Sequence, residues 1–207
     1  ILSVRGMTYD QLISDLKNLV YRPVYFFWGD EPYYIDLATS FIAGNVLSEA
    51  EQSFNQTILY GKDSEAGQVS DLARRFPMMA SHQVVVLKEA QEMKNFADLM
   101  PYIEQPQPST LLVINYKYKK PDKRQKIFKL LEKQAVWFES KKMYDNQVPG
   151  WIAGYASKQH YRMEPKAAAL LAEFLGSDLS KIVNEVEKLM LAIGKKGETI
   201  TPELVEK

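Results

Sequence analysis

The chain has 207 residues, enough for one large or two small domains with a substantial core, and its 26 basic and 26 acidic residues cancel. That balance excludes a global field drawing it onto nucleic acid or an anionic membrane, so any DNA contact needs a local patch or a partner. It has no cysteine and only two histidines, His82 and His160, which excludes disulfides and cysteine-based zinc or thiol chemistry and makes a histidine metal site improbable. No apolar run approaches a membrane span and no signal peptide is visible, so a cytoplasmic setting is expected, with no cofactor. The first residue, Ile1, and a helix-start pattern at Thr201-Pro202-Glu203 close to the last residue, Lys207, read as those of a piece of a longer chain.

In chain order, residues 9–19 carry Leu12, Leu16 and Leu19 at helical spacing. Residues 24–28, VYFFW, form a continuous apolar run, as a strand covered on both faces requires. A helix is expected over 35–47, a strand over 55–60, a turn at Gly61-Lys62-Asp63 and a helix over 65–75. Residues 83–87 (QVVVL) and 110–115 (TLLVIN) are the clearest buried strands. They flank a helix near 93–103 and a proline-bearing loop at 105–108; a helix over 125–133 and a strand over 135–138 follow. This alternation predicts a mainly parallel sheet with helices on both faces. Near 141–149 the pattern changes, and helices at 148–159, 165–175 and 178–193 are expected with no further strand. The predicted architecture is an α/β domain over 1–142 followed by a small three-helix domain over 143–207.

The strand 24–28 leads into Gly29-Asp30-Glu31 and then a helix, the place where a nucleotide-binding domain puts its phosphate loop. A working loop needs glycines whose neighbouring N–H groups wrap the phosphates, then a Lys and a Ser or Thr. Here two carboxylates would repel a triphosphate instead. The other acidic signature of such enzymes, an Asp closing a hydrophobic strand, is replaced by Lys88 in Val86-Leu87-Lys88-Glu89. Both halves of the ATPase machinery are missing. Asp30 and Glu31 as an acid/base pair is a minor reading beside solvation or helix capping.

Arg75-Phe76-Pro77-Met78-Met79 puts three large apolar residues around a helix-breaking proline in what should be a surface connection. Spacing leaves two readings open: the side chains tuck into the core, or they form an exposed wedge for a partner's pocket. Methionines suit a wedge because they are flexible and polarizable. Lys117, Lys119, Lys120, Lys123, Arg124, Lys126 and Lys129, interleaved with Tyr116 and Tyr118, could track a phosphate backbone. In a chain of zero net charge they read first as a solvated loop and helix face.

Four stretches carry a family resemblance: YFFWGDEPYYID, RFPMMASHQVVVL, LLVINYKYKKPDKRQKIFKLLEK and SDLSKIVNEVEKLMLA. The last matches through Asp178, Leu179, Asn184, Glu185, Glu187, Lys188 and Leu189. In their order and spacing they resemble the delta subunit family of bacterial DNA polymerase III, the clamp-loader component. The resemblance implies an AAA+-like P-loop NTPase fold lacking a functional P-loop at Gly29, Asp30 and Glu31, then a three-helix lid, with a collar domain beyond this sequence. It implies no intrinsic catalysis, although the chain would belong to a DNA-directed DNA polymerase holoenzyme. Implied partners are the sliding clamp (beta subunit), the ATPase motor and delta-prime type subunits of the loader, and primer-template DNA in the assembled complex. The implied clamp-binding wedge is Met78 and Met79, supported by Phe76 and Pro77; the family commonly has Leu then Phe at the tip. A possible DNA or subunit contact falls on Lys117, Lys119, Lys120, Lys123, Arg124 and Lys126. Two alternatives to a clamp opener remain: a DNA-binding adaptor acting through 117–129, and an atypical NTPase.

Overall fold

The computed structural model describes residues 6–207. Its contacts divide into two compact units, one ending at Lys141 and one running from Lys142 to Lys207.

The first unit is built on five parallel strands: β1 (Val24–Gly29), β2 (Gln56–Tyr60), β3 (Gln83–Lys88), β4 (Thr110–Lys117) and β5 (Val136–Glu139). They lie in the order β2-β3-β4-β1-β5. Alternation along each strand explains why the central ones carry unbroken apolar runs, residues 24–28, 84–87 and 111–114. Val24, Phe26 and Trp28 of β1, with Val85, Leu87, Leu112 and Ile114, enter a core on one face. Tyr25 and Phe27, with Val84, Val86, Leu111 and Val113, enter a core on the other. Helices cover both faces, as a parallel sheet with crossover connections demands. On the first face lie α4 (Ala66–Ala73), α5 (Met100–Glu104) and α6 (Lys126–Gln134). On the second lie α1 (Tyr9–Lys17) and α2 (Pro32–Asn45). A capping box fixes the start of α1: Thr8 Oγ1 accepts the Gln11 N–H while Gln11 Oε1 accepts the Thr8 N–H.

Three local expectations are corrected. A short helix, α3 (Glu49–Asn55), precedes β2, so Asn55 ends a helix and does not begin the strand. Its sequence, EAEQSFN, lacks an apolar stripe, so periodicity is silent about it. The helix expected near 93–103 is broken into two 3-10 turns, Ala90–Glu92 and Phe96–Leu99, and the single-turn α5. In the second unit a two-residue parallel ladder joins β6 (Arg162–Met163) to β7 (Thr199–Ile200), where no strand was expected.

The second unit otherwise consists of α7 (Val148–Lys158), α8 (Pro165–Leu175) and α9 (Leu179–Ile193), then a short α10 (Pro202–Val205). Buried residues Ile152, Ala156, Ala168, Leu171, Ile182, Val186 and Met190 recur at helical spacing. Asp178 caps α9 through the Lys181 N–H, and Gly194 ends it at φ 72°, a left-handed position that suits glycine.

Candidate protein-interaction site on the α/β unit

The loop between α4 and β3 enters the sheet at the N-terminal end of β3. Its apolar residues stand in solvent: Phe76 is 81% exposed, Met78 57% and Met79 99%, with Pro77 half-buried. The core-tucked reading therefore fails for Phe76, Met78 and Met79, and polar pins hold the loop in place of burial. At its entrance Gln83 Nε2 donates to the carbonyls of Leu72 and Ala73, and Thr110 Oγ1 donates to Ala73 O at 2.6 Å. Tyr102 Oη adds a longer bond to the same carbonyl at 3.4 Å. At the tip, the buried Asn55 brackets Met78. The Met78 N–H donates to Asn55 Oδ1 at 2.6 Å, and Asn55 Nδ2 donates to Met78 O at 2.9 Å. Met79 takes φ 55°, a left-handed conformation that costs a non-glycine residue about 1–2 kcal/mol.

Sequence reasoning found the apolar tip and missed Asn55, Gln83 and Thr110. Gln83, a polar residue opening the apolar run QVVVL, was a faint signal. Asn55 lies 23 residues before its partner, and nothing local marks it.

At the opposite end of the sheet, the Gly29-Asp30-Glu31 turn is closed by protein. A Cβ on Gly29 would fall 2.1 Å from Ser140 O, and its φ of 131° is one that side chains rarely adopt. Ser140 N–H donates to Trp28 O at 2.7 Å and Ser140 O accepts the Glu31 N–H at 3.2 Å. Glu31 is buried and its carboxylate caps α2 through the Tyr33 N–H at 3.0 Å. Pro32, next in line, has no N–H. Two backbone donors at this helix start, the N–H groups of Glu31 and Tyr33, already have acceptors, and one of these, the Glu31 carboxylate, brings negative charge to where a phosphate would sit. Asp30 remains exposed.

The basic stretch lies at this same end, since Lys117 is in register with Gly29. Lys117 pairs with Asp36 at 2.6 Å, and Lys119 Nζ donates to Gln91 O at 3.0 Å. Lys123 pairs with Glu132 at 2.8 Å and sits 5.9 Å from the Trp137 ring centre. Arg124 grips Asp122 through two bonds of 2.9 Å, which hold the Asp122 carboxyl below its usual range. Lys120 and Lys126 are exposed. The wedge loop and the basic stretch thus occupy opposite ends of the strands, about 20 Å apart for a six-residue strand. Among the described residues no group of acidic and histidine side chains could hold a metal ion, and no helix is long and apolar enough to cross a membrane.

The family model described as DNA polymerase III, delta subunit, matches residues 25–141. The chain belongs to the DNA polymerase III delta subunit family. It is 28% identical over 195 residues to the DNA polymerase III subunit delta of Bacillus subtilis, covering 89% of this chain and 56% of that protein. Among solved structures it is similar to the Bacillus subtilis DNA clamp loader delta protein, with a TM-score of 0.77 and 27% identity over 96% of this chain and 61% of the other. The chain therefore spans little more than half the length of these delta relatives. A RuvB mutant of Thermotoga maritima matches in fold, with a TM-score of 0.52, 12% identity, and coverage of 98% of this chain and 71% of its own. The delta-family chain has an AAA+-like α/β fold on a parallel five-stranded sheet.

Proposed function

We propose that this chain serves in the clamp loader of the replicative DNA polymerase III holoenzyme, in the cytoplasm, as the subunit that binds and opens the sliding clamp without hydrolysing ATP itself. The observation that carries this reading is the tip Phe76-Pro77-Met78-Met79: apolar side chains held out in water on a loop whose backbone is pinned. An exposed apolar anchor on an ordered loop is what a partner's pocket selects. Met78 and Met79 enter an apolar pocket on the clamp, with Phe76 and Pro77 packed beside them. Because a ligand shifts an equilibrium only by its differential affinity, the tip must bind the open clamp more tightly than the closed one.

The closed turn at Gly29–Glu31 and the lysine at position 88 support assigning nucleotide binding to neighbouring motor subunits. Residues 142–207 act as the lid that follows an AAA+-like domain. Internal partners for Lys117, Lys119, Lys123 and Arg124 weigh against a main DNA surface there, leaving it a secondary contact in the assembled loader.

The test is binding of this chain to the sliding clamp of the same organism, beside a Met78→Ala/Met79→Ala variant. A loss of at least about 100-fold with the fold intact is expected, the scale of a hot spot. A variant that binds like the wild type would place the contact elsewhere.

A further inference from the structure

Met78 is held by a side chain from another element. Asn55, the last residue of α3, is 4% exposed, and its carboxamide spends all of its hydrogen-bonding groups on backbone. Oδ1 accepts the Met78 N–H at 2.6 Å, while Nδ2 donates to Met78 O at 2.9 Å and to Glu51 O, within α3, at 3.0 Å. A single side chain that bonds both the N–H and the C=O of one residue sets the orientation of the peptide planes on either side of it, much as a neighbouring strand would. It does so at a point of the loop where the side chains contribute little through burial, because Met78 and Met79 are exposed. The next residue, Met79, holds φ 55°, which an unrestrained methionine would leave. The pins supplied by Gln83 and Thr110 act on the carbonyls of Leu72, Ala73 and Arg75, all before Phe76, and none of them bonds Met78 or Met79.

We propose that Asn55 is a positioning residue for partner recognition: it orders the Met78-Met79 tip before any partner arrives, anchoring it to the end of α3. The proposal rests on the reading that this tip binds the clamp. Ordering a loop and its long side chains opposes association, so a tip ordered in advance binds more tightly and associates faster. Losing Asn55 should leave the methionines present and unchanged in chemistry, yet poorly presented.

The test uses Asn55→Ala and the isosteric Asn55→Asp, which keeps an acceptor for the Met78 N–H and removes both donors. Each is also combined with Met78→Ala/Met79→Ala. Thermal unfolding identifies variants that remain folded, and Asn55→Asp carries the test if the alanine variant does not. Amide hydrogen exchange at Met78 should accelerate by about tenfold or more in Asn55→Ala, while amides of β3 and β4 keep their protection, since only local opening is made easier. Clamp affinity should fall about tenfold, mainly through a slower association rate. In the Met78→Ala/Met79→Ala background, the Asn55 change should add nothing, because Asn55 acts through those side chains. Wild-type clamp binding by both Asn55 variants, with binding lost in the methionine pair, overturns the role of Asn55 alone. Wild-type binding by the methionine pair overturns the wedge, and the positioning role falls with it.

Discussion

Met79 and Gly29 are the residues whose backbone angles carry opposite meanings. Met79 keeps a left-handed φ of 55° although it is almost wholly exposed, so strain is tolerated where the side chain gains nothing within the chain. Met79→Gly relieves that strain but raises the entropy of the unfolded chain, two effects of about 1 kcal/mol and opposite sign. Stability should therefore change by less than about 1 kcal/mol, while clamp affinity falls; denaturant unfolding beside a binding titration checks both. A variant that loses stability and binding in proportion would mean that the methionine serves the fold. Gly29 is the reverse case: any Cβ there meets Ser140 O at 2.1 Å, within backbone and not at the end of a flexible side chain. Gly29→Ala should cost about 2–4 kcal/mol, measurable as a lowered urea midpoint, because either the turn or the end of β5 must shift. Both positions were visible in the sequence, since a proline-centred apolar cluster and a glycine closing a strand are local patterns. The groups that hold them, the Asn55 side chain and the Ser140 backbone, were not, because each acts across the fold on backbone groups that leave no mark on neighbouring residues.

Elements buried on both faces were the legible ones. β1, β3 and β4 read as strands because alternate residues enter two separate cores, which makes residues 24–28, 84–87 and 111–114 unbroken apolar runs. α3 was missed for the converse reason: its one buried residue, Asn55, is polar, and its one large apolar residue, Phe54, is exposed, so no apolar stripe marks it. The broken segment between β3 and β4 has enough apolar residues for a helix. Phe96, Leu99, Tyr102 and Ile103 reach the core from 3-10 turns and one α-turn, however, with Pro101 in that last turn. β6 and β7, two residues each, are too short for any periodic signal. The doubly covered sheet also has a consequence at high pH. Tyr25 of β1 is fully buried, its hydroxyl accepts the Arg22 N–H at 2.8 Å, and burial pushes its pKa up to about 12. The folded state thus holds this phenol protonated while an unfolded chain ionises it near 10, so its contribution is intact below about pH 10 and is lost between about pH 10 and pH 12. The loss reaches about 3 kcal/mol. Tyr25→Phe should cost about 1 kcal/mol at pH 7, where the Arg22 N–H loses its acceptor, and should make the alkaline loss correspondingly shallower. Denaturant titrations at pH 8 and pH 11 compare the two; an unchanged slope would place the alkaline sensitivity in Tyr9, Tyr102 or Tyr116, whose pKa values burial also raises.

Across the α/β unit, parallel strands separate two surfaces that the sequence places only 38 residues apart, from Met79 to Lys117. The apolar tip precedes β3, and the basic stretch follows β4, so they occupy opposite ends of the sheet and can meet different partners. Their physics differs as well, and ionic strength separates them. Apolar insertion buries no net charge, so clamp affinity should change by no more than about threefold over a tenfold rise in salt. DNA binding would depend on cations without an internal partner. Lys117, Lys119, Lys123 and Arg124 are engaged within the chain, which leaves Lys120, Lys126 and Lys129 of that stretch among the described residues. Two or three phosphates neutralised give a log–log slope of about −2 to −3, hence a fall of about 10²–10³ in DNA affinity over the same salt range. Titrations of clamp and of primer-template DNA against this chain at matched salts should give these two unlike slopes. A clamp slope as steep as the DNA slope would mean that charge, not the methionine tip, holds the clamp. Charge-neutralising changes at Lys120 and Lys126 should flatten the DNA slope and leave the clamp slope untouched, because the two surfaces share neither a residue nor an end of the sheet.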